Sequence, residues 1–179
     1  MTEVGSVYGL SLYQLAKEES LAKSIGEELA VLQEAFRAEP DFIRLLSSPN
    51  LSKAERCQIL DQSFRSKVHP YVLNFMKILT EKGYMRYFSD CAAAFRDAYN
   101  LDHGILPVKA VTAVPMTEDQ IARLTEKLGK LTGKTIDLSC RIDPAVLGGV
   151  RLDYDGKRVD GTVQGRLDAV DKLLKNTVL

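Results

Sequence analysis

The first hundred residues repeat their apolar positions at the spacing of α-helices. The longest stripe steps by three or four residues from Leu21 to Phe36, which places its side chains on one helix face. The apolar positions that define the successive helices are Val4, Tyr8, Leu12 and Leu15; Leu21, Ile25, Leu29, Leu32 and Phe36; Phe42, Leu45 and Leu46; Ile59, Leu60 and Phe64; Val72, Phe75, Met76 and Leu79; and Phe88, Cys91, Phe95 and Tyr99. We therefore predict six helices, two of them short. Their short connections favour antiparallel neighbours, so this half is predicted to be an antiparallel six-helix bundle.

Local signals place several ends of these helices. Pro40 ends the long helix because it has no amide proton to donate. Ser52 and Glu55 have the spacing of a capping box, in which each side chain accepts a hydrogen bond from a free amide at the helix start. Pro70 suits the first turn of a helix, and Gly83 suits its C-terminal cap. The last helix of this half is predicted to run from about Tyr84 to Leu101.

After residue 104 the pattern changes to strands and one long amphipathic helix. A strand is predicted from Ile105 to Val114, where Pro115 ends it. Thr117 and Gln120 form a second capping box. The helix that follows is predicted to end at Gly133 and to bury Ile121, Leu124, Leu128 and Leu131. The next segment alternates apolar and polar residues, as expected of a strand with one buried face. Its apolar members are Ile136, Leu138, Cys140 and Ile142.

Asp155-Gly156 is a strong signal for a two-residue hairpin. With these residues as the loop, Tyr154 faces Lys157, and Leu152 faces Val159. The same register sets Asp153 opposite Arg158 and Arg151 opposite Asp160. A slip of one residue would destroy both the apolar and the charge pairing, so the register is well specified.

The change of pattern divides the chain into domains 1–104 and 105–179. The fold class is α+β, with the helical bundle followed by a small α/β domain of a mixed sheet and two helices. The second of these helices is predicted at the C-terminus, where one face carries Val163, Leu167, Val170 and Leu174.

Composition narrows the possible functions. The chain has 179 residues, of which 45% are apolar and 27% charged, as in soluble globular proteins. Its 24 basic and 24 acidic side chains give no net charge, which argues against a free-standing nucleic-acid binder. No apolar run is long enough to span a bilayer, and the first 30 residues fit neither a signal peptide nor a transit peptide. The three cysteines form no CxxC pair and suit a reducing compartment.

The candidate catalytic patterns are all weak. Gly129 to Thr135 resembles a phosphate-binding loop, but it has one residue too few between its glycines and follows a helix instead of preceding one. Asp153, Asp155 and Asp160 do not match a calcium loop, and the hairpin pairing already explains them. His69 and His103 have no nucleophile or carboxylate at a suggestive spacing. We expect no catalytic, metal or cofactor site.

A specific resemblance appears between residues 148 and 174. The chain has Gly148-Gly149-Val150 entering a strand, then Asp160-Gly161-Thr162-Val163 and Gly165-Arg166-Leu167, before the terminal helix. This order closely resembles the C-terminal signature of the delta subunit of rotary ATP synthases, called the oligomycin-sensitivity-conferring protein in mitochondria. Gln164 stands where Arg or Lys is common. Tyr8-Gly9 and Ser11-Leu12 are an altered form of the family's N-terminal Tyr-Ala and Ala-Leu. The order of elements extends the resemblance to the whole chain.

The resemblance implies a non-catalytic stator subunit of a proton-driven ATP synthase, peripheral on the cytoplasmic face of a bacterial inner membrane. Its N-terminal domain would bind the N-terminal helices of the alpha subunits, and its C-terminal domain the b-type subunits of the peripheral stalk. It implies neither a nucleic-acid partner nor insertion into the membrane.

The residues expected to serve these roles fall into three sets. The candidates for the groove that binds alpha are Tyr8, Leu12, Leu15, Phe75, Met76 and Leu79, although periodicity alone leaves open that they fill the core. The candidates for the stalk are Leu167, Val170, Leu173 and Leu174. The motif residues expected to shape the fold are Gly148, Gly149, Val150, Asp160, Gly161 and Arg166. Two alternative hypotheses for the function of the chain are an RNA-associated helical bundle and an unrecognised enzyme.

Overall fold

A computed structural model of the chain describes residues 2–48, 50–146 and 148–161. The chain divides into two compact units after Tyr99. The described residues form seven α-helices, one 3-10 helix and a four-stranded sheet. The fold class is therefore α+β, as predicted.

The helices predicted from the apolar stripes lie in the first unit, except that the last of them continues to Asp102, beyond the division after Tyr99. Their bounds are α1 Glu3–Glu18, α2 Ala22–Ala38, α3 Pro40–Leu46, α4 Lys53–Phe64, α5 Pro70–Glu81, a 3-10 helix Met85–Tyr87, and α6 Phe88–Asp102. The helix predicted to begin at Tyr84 thus starts with a 3-10 turn, and its α-helical part begins at Phe88. Gly83 follows α5 with φ +73°, a conformation that ends a helix at little cost for glycine.

The two helix starts predicted from Ser52 and Pro70 are confirmed. Ser52 and Glu55 form the capping box of α4, with the Ser52 amide 2.8 Å from Glu55 Oε2 and the Glu55 amide 3.2 Å from Ser52 Oγ. Pro70 lies in the first turn of α5. The preceding residue, His69, caps that helix because its Nδ1 accepts a hydrogen bond from the Tyr71 amide at 3.3 Å. This histidine therefore has a structural role.

One apolar core fills the first unit. Ile25, Leu29, Leu32 and Phe36 of α2 are all buried in it, as the stripe predicted. The Phe36 ring lies edge-on to Phe88, with centroids 4.9 Å apart, so α2 packs against the start of α6.

The second unit is built on a mixed sheet. Its elements are β1 Ile105–Thr112, α7 Glu118–Thr132, β2 Thr135–Ile142, β3 Val150–Tyr154 and β4 Lys157–Asp160. The strands lie in the order β2-β1-β3-β4, with β1 parallel to β2 and the other pairs antiparallel. The mixed sheet is confirmed, and the predicted terminal helix lies outside the described residues.

The predicted hairpin register is confirmed at all four pairs. Asp155 and Gly156 both have positive φ, +48° and +69°, as a tight two-residue hairpin turn requires. The Arg158 Nε donates to Asp153 Oδ1 at 2.7 Å, and this hydrogen bond lowers the pKa of the Asp153 carboxyl.

Candidate functional site

Helix α1 packs through glycine and other small residues. Its buried positions are Gly5, Gly9, Leu12, Tyr13 and Ala16. A Cβ at Gly9 would lie 2.4 Å from the Cys91 carbonyl oxygen, and one at Gly5 would lie 2.5 Å from Asp90 Cβ. The backbone of α1 therefore approaches α6 more closely than an alanine would allow. The apolar stripe did not reveal this face, because glycine contributes nothing to apolar periodicity.

Thr2 fastens the start of α1 to α6. The Thr2 amide and hydroxyl both donate to Asp90 Oδ2, at 3.1 and 2.6 Å. The same hydroxyl accepts from the Gly5 amide at 3.2 Å, so it also caps α1. Hydrogen bonds from the Thr2 hydroxyl and then its amide lower the pKa of the Asp90 carboxyl. The position of α1 is thus fixed at its N-terminus by a charged acceptor.

The six residues expected to line a groove for alpha lie at different depths. Leu12, Phe75, Met76 and Leu79 are buried in the core, with Met76 and Leu79 fully so. Met76 and Leu79 expose no surface to a partner, while Leu12 and Phe75 expose a little. The expectation that these four residues form part of a groove for alpha stays a prediction, in which they would support it from beneath. Tyr8 is half-buried, and 39% of Leu15 is exposed, two turns further along α1 on the same side.

Tyrosine rings lie beside Tyr8 at the surface. Tyr84 meets Tyr8 edge-on, with ring centroids 5.9 Å apart, and lies 6.1 Å from Tyr87. The Arg86 guanidinium lies 4.7 Å above the Tyr87 ring centre. The Tyr84 amide donates to the Leu79 carbonyl at 2.7 Å, so the end of α5 positions the cluster. We call Tyr8, Leu15, Tyr84 and Tyr87 the tyrosine surface. The sequence pattern missed it because Tyr84 and Tyr87 fall on a 3-10 helix and the turn before it.

A depression in the surface of the first unit lies between α2 and the segment from Phe64 to Val68. Its volume is about 380 Å³, and its floor is apolar while Glu27, Glu28 and Lys67 lie at its edge. Val31 is 69% exposed there, so this part of α2 also leaves apolar surface uncovered. Glu28 is already engaged, because its Oε2 accepts from the His69 amide at 2.8 Å.

The glycine motif of the second unit shapes the entry to β3. Gly149 has φ +85°, a conformation that favours glycine, and Val150 then pairs with Thr112. At the other end of the hairpin the Gly161 amide donates to the Val150 carbonyl at 3.1 Å. Asp160 pairs with Arg151, so these residues hold together the end of the hairpin opposite its turn. Arg166 lies outside the described residues.

The four stalk candidates Leu167, Val170, Leu173 and Leu174 also lie outside the described residues. The described part of this unit nonetheless carries exposed apolar side chains: Val114, Leu131, Ile142 and Val159. Leu131 was expected to be buried by α7, but 75% of it is exposed, one turn beyond the part of the helix that packs on the sheet.

The sequence led us to expect no catalytic site. The metal-ligating side chains, the thiols and the apolar helices of the described residues are as follows. Among the described ranges, no three His, Cys, Asp or Glu side chains are grouped so that they could hold a metal ion. Cys57, Cys91 and Cys140 are free thiols, and burial raises the pKa of Cys91 to about 11. Of the helices in the described part of the chain, none is long and apolar enough to cross a bilayer.

Comparison with known proteins gives a consistent result over nearly the whole chain. A family model described as the ATP synthase delta (OSCP) subunit matches residues 4–174. The ATP synthase subunit delta of Alkaliphilus oremlandii is 32% identical over 176 residues, which cover 98% of each chain. The sodium-ion-specific subunit delta of Ilyobacter tartaricus is 28% identical over 168 residues, covering 94% of this chain and 96% of that one.

A solved structure has a similar fold. A chain in the mitochondrial ATP synthase hexamer of Toxoplasma gondii superposes with a TM-score of 0.77 at 20% identity, covering 97% of this chain and 98% of that chain. At this identity the likeness concerns the fold alone.

Proposed function

This chain belongs to the ATP synthase delta (OSCP) subunit family, and we propose that it joins the alpha subunits of the catalytic head to the b-type subunits of the peripheral stalk. The observation that carries this proposal is the family match over residues 4–174, together with relatives of nearly equal length. The chain is a non-catalytic stator subunit of an ATP synthase. The alternative of an RNA-associated bundle receives no support from these relatives.

Each domain has its own partner in this proposal. Domain 1–104 binds the N-terminal helices of the alpha subunits, and domain 105–179 binds the end of the stalk. When the rotor turns, it exerts a torque on the catalytic head. Both contacts then bear this torque, and the chain keeps the head from rotating. The complex lies at the cytoplasmic face of a bacterial inner membrane, to which this subunit attaches through its partners.

The tyrosine surface is our proposed contact for alpha. Tyrosine and arginine are, with tryptophan, enriched among the residues that contribute most to binding at interfaces, and tyrosine combines a large apolar ring with a polar hydroxyl. Leu12 and Met76 lie in the core that the surface covers, so its rings rest on a fixed base. An amphipathic helix would place anchors at i, i+3 and i+7 against such a surface.

The stalk contact is proposed for the C-terminal segment with Leu167, Val170, Leu173 and Leu174. Support comes from their spacing, which sets Leu167, Val170 and Leu174 on one helix face and leaves Leu173 beside it. Leu173 is the candidate for a direct contact with the stalk, because it lies off the predicted apolar stripe.

Calorimetric titration with a peptide from the alpha N-terminus tests the head contact. We expect one-to-one binding, weakened about tenfold or more (~1.4 kcal/mol) by Tyr8→Ala. Leu10→Ala is the matched control, because Leu10 lies on the same helix and is 45% exposed, but on the opposite flank from Tyr8. Circular dichroism would confirm that both variants fold.

Two results would contradict the proposal at different levels. Equal binding by wild type and Tyr8→Ala would exclude the tyrosine surface while keeping the connector. No binding of the peptide by the wild-type chain would exclude the contact between this domain and the alpha N-terminus.

A further inference from the structure

Arg86 places a positive charge beside the tyrosine surface. It lies in the 3-10 helix Met85–Tyr87, and its side chain is exposed. The centre of its guanidinium lies 4.7 Å from the centroid of the Tyr87 ring, a distance typical of a cation–π contact. This contact restricts an otherwise flexible side chain, so that less freedom is lost when the guanidinium binds a partner group.

The guanidinium of Arg86 has no acidic partner among the described residues, whose ion pairs do not include it. The nearest acidic residues along the chain, Glu81 and Asp90, have other contacts. Asp90 accepts from the amide and the hydroxyl of Thr2, and Glu81 accepts from the Cys57 thiol at 3.8 Å. The N–H donors of Arg86 are therefore available to a group on another molecule.

The tyrosine surface and Arg86 form a continuous series of contacts. The ring centroids of Tyr8 and Tyr84 are 5.9 Å apart, those of Tyr84 and Tyr87 are 6.1 Å apart, and Arg86 follows at 4.7 Å from Tyr87. These steps are close to the pitch of an α-helix, about 5.4 Å per turn. A helix bound here can therefore reach Arg86 with a side chain that lies within one turn of its anchor at Tyr87.

We infer, on the basis of the proposed contact with alpha, that Arg86 selects an acidic side chain on the helix that the tyrosine surface binds. The helix must then carry apolar anchors for the rings and, within one turn of the anchor that meets Tyr87, an Asp or a Glu. A carboxylate accepts two parallel hydrogen bonds from a guanidinium, which fixes the position of the helix along the surface.

The rings and the charge have different tasks in this contact. Buried aromatic anchors contribute most of the free energy of binding, whereas a charge at the exposed edge mainly determines register and partner choice. A basic side chain at the same position of the helix would lie against Arg86, and like-charge repulsion would disfavour it. Arg86 is thus a specificity-determining residue for the helix of alpha.

Calorimetric titration of the full-length chain with a peptide from the alpha N-terminus tests this role. Arg86→Gln should weaken binding about threefold to tenfold, because it removes the charge and keeps a polar side chain. Raising the salt concentration from ~0.05 to ~0.5 M should weaken the wild-type complex more than the Arg86→Gln complex, since salt screens the charge pair.

Arg65→Gln is the matched control. Arg65 is also exposed, and the substitution removes the same charge, but Arg65 precedes α5 whereas Arg86 follows the end of that helix. Its affinity for the peptide should stay within about twofold of wild type. Arg86→Lys keeps the charge and should recover part of the affinity that Arg86→Gln loses. Circular dichroism would confirm that all three variants fold.

Substitutions in the peptide identify the partner of Arg86. Each acidic residue of the peptide would be replaced in turn by its amide. At the partner of Arg86 this change should weaken binding to the wild-type chain and have little further effect on Arg86→Gln, because both changes remove the same contact. An additive loss at every acidic position would overturn the inference.

Three other results would also overturn it while leaving the contact with alpha intact. The first is equal affinity of wild type and Arg86→Gln. The second is an equal loss in Arg65→Gln, which would indicate a general effect of net charge. The third is a loss that Arg86→Lys does not restore in part, which would indicate lost packing on Tyr87. No binding by the wild-type chain would instead exclude the contact with alpha, and the role of Arg86 with it.

Discussion

At the scale of single residues, the absence of one carbon atom at Gly9 determines how closely α1 and α6 approach. An added methyl group would meet the Cys91 carbonyl oxygen at 2.4 Å, and a backbone atom cannot move aside as a side chain can. Gly129 lies in α7 and offers a contrast, because a Cβ there would be 3.5 Å from its nearest neighbour, the Lys134 carbonyl oxygen.

Gly9→Ala should therefore destabilise the first unit by about 1–3 kcal/mol, the usual cost of overpacking. Gly129→Ala should instead stabilise its helix, by about 0.5–1 kcal/mol, because alanine loses less backbone entropy on folding. Urea unfolding followed by circular dichroism measures both. A Gly9→Ala chain as stable as wild type would mean that α1 does not lie this close to α6.

The Asp90 carboxyl should titrate below the usual range of aspartate. The hydroxyl and the amide of Thr2 both donate to this carboxylate and favour its charged form, which lowers its pKa in the folded protein. The contact therefore stabilises the fold at pH values above the pKa of an aspartate in the unfolded chain. This stabilisation is lost as the pH falls through the lower pKa of the folded protein. In an NMR titration, Thr2→Val should raise the Asp90 pKa by removing the hydroxyl donor. Ser6→Ala, one turn along α1, should leave it unchanged. Equal pKa values in wild type and Thr2→Val would rule out the contact.

At the scale of elements, α7 depends on its N-terminal cap. The Thr117 hydroxyl accepts from the Gln120 amide at 3.3 Å, and Gln120 Oε1 accepts from the Thr117 amide at 3.0 Å. Thr117→Ala should cost about 1 kcal/mol, since it leaves one amide without its partner. Thr117→Ser keeps the hydroxyl and should cost much less. Urea unfolding of the second unit distinguishes them, and equal losses would argue against the cap.

The elements that the sequence predicts best are those fixed by local chemistry. Both capping boxes and the hairpin register depend on residues a few positions apart, such as Asp155-Gly156 and the Asp153–Arg158 pair, and each is confirmed. Helix α1 was predicted as an element, but its buried face was not. That face depends on Gly5 and Gly9 meeting α6, a contact between residues more than 80 positions apart.

The candidate site was harder to predict for the same physical reason. Periodicity marks the apolar face of a helix, but it does not distinguish core from groove. Of the two α1 residues Tyr8 and Leu12, the first reaches the surface while the second is in the core. Tyr84 belongs to no helical stripe and joins Tyr8 only because the chain turns after α5. The residues of the C-terminal candidate set lie outside the described ranges and stay a proposal.

At the scale of the whole molecule, the division into two units fits the proposed task of joining two partners. Each unit has a separate apolar core, so a contact made by one does not require the other to repack. Substitutions at the tyrosine surface should therefore weaken binding of alpha and leave binding of the stalk unchanged. Leu173→Asp should do the reverse, and calorimetric titration of both variants with both partners measures this. A variant that lost both partners while remaining folded would contradict the separation.

The most direct test of the connector is whether the head binds the stalk only through this chain. Purified catalytic head and the soluble part of the b subunits would be sedimented together with and without the full-length chain. We predict that the stalk sediments with the head only when the chain is present, while ATP hydrolysis by the head retains its turnover number. Equal sedimentation of the stalk in the absence of the chain would contradict the account.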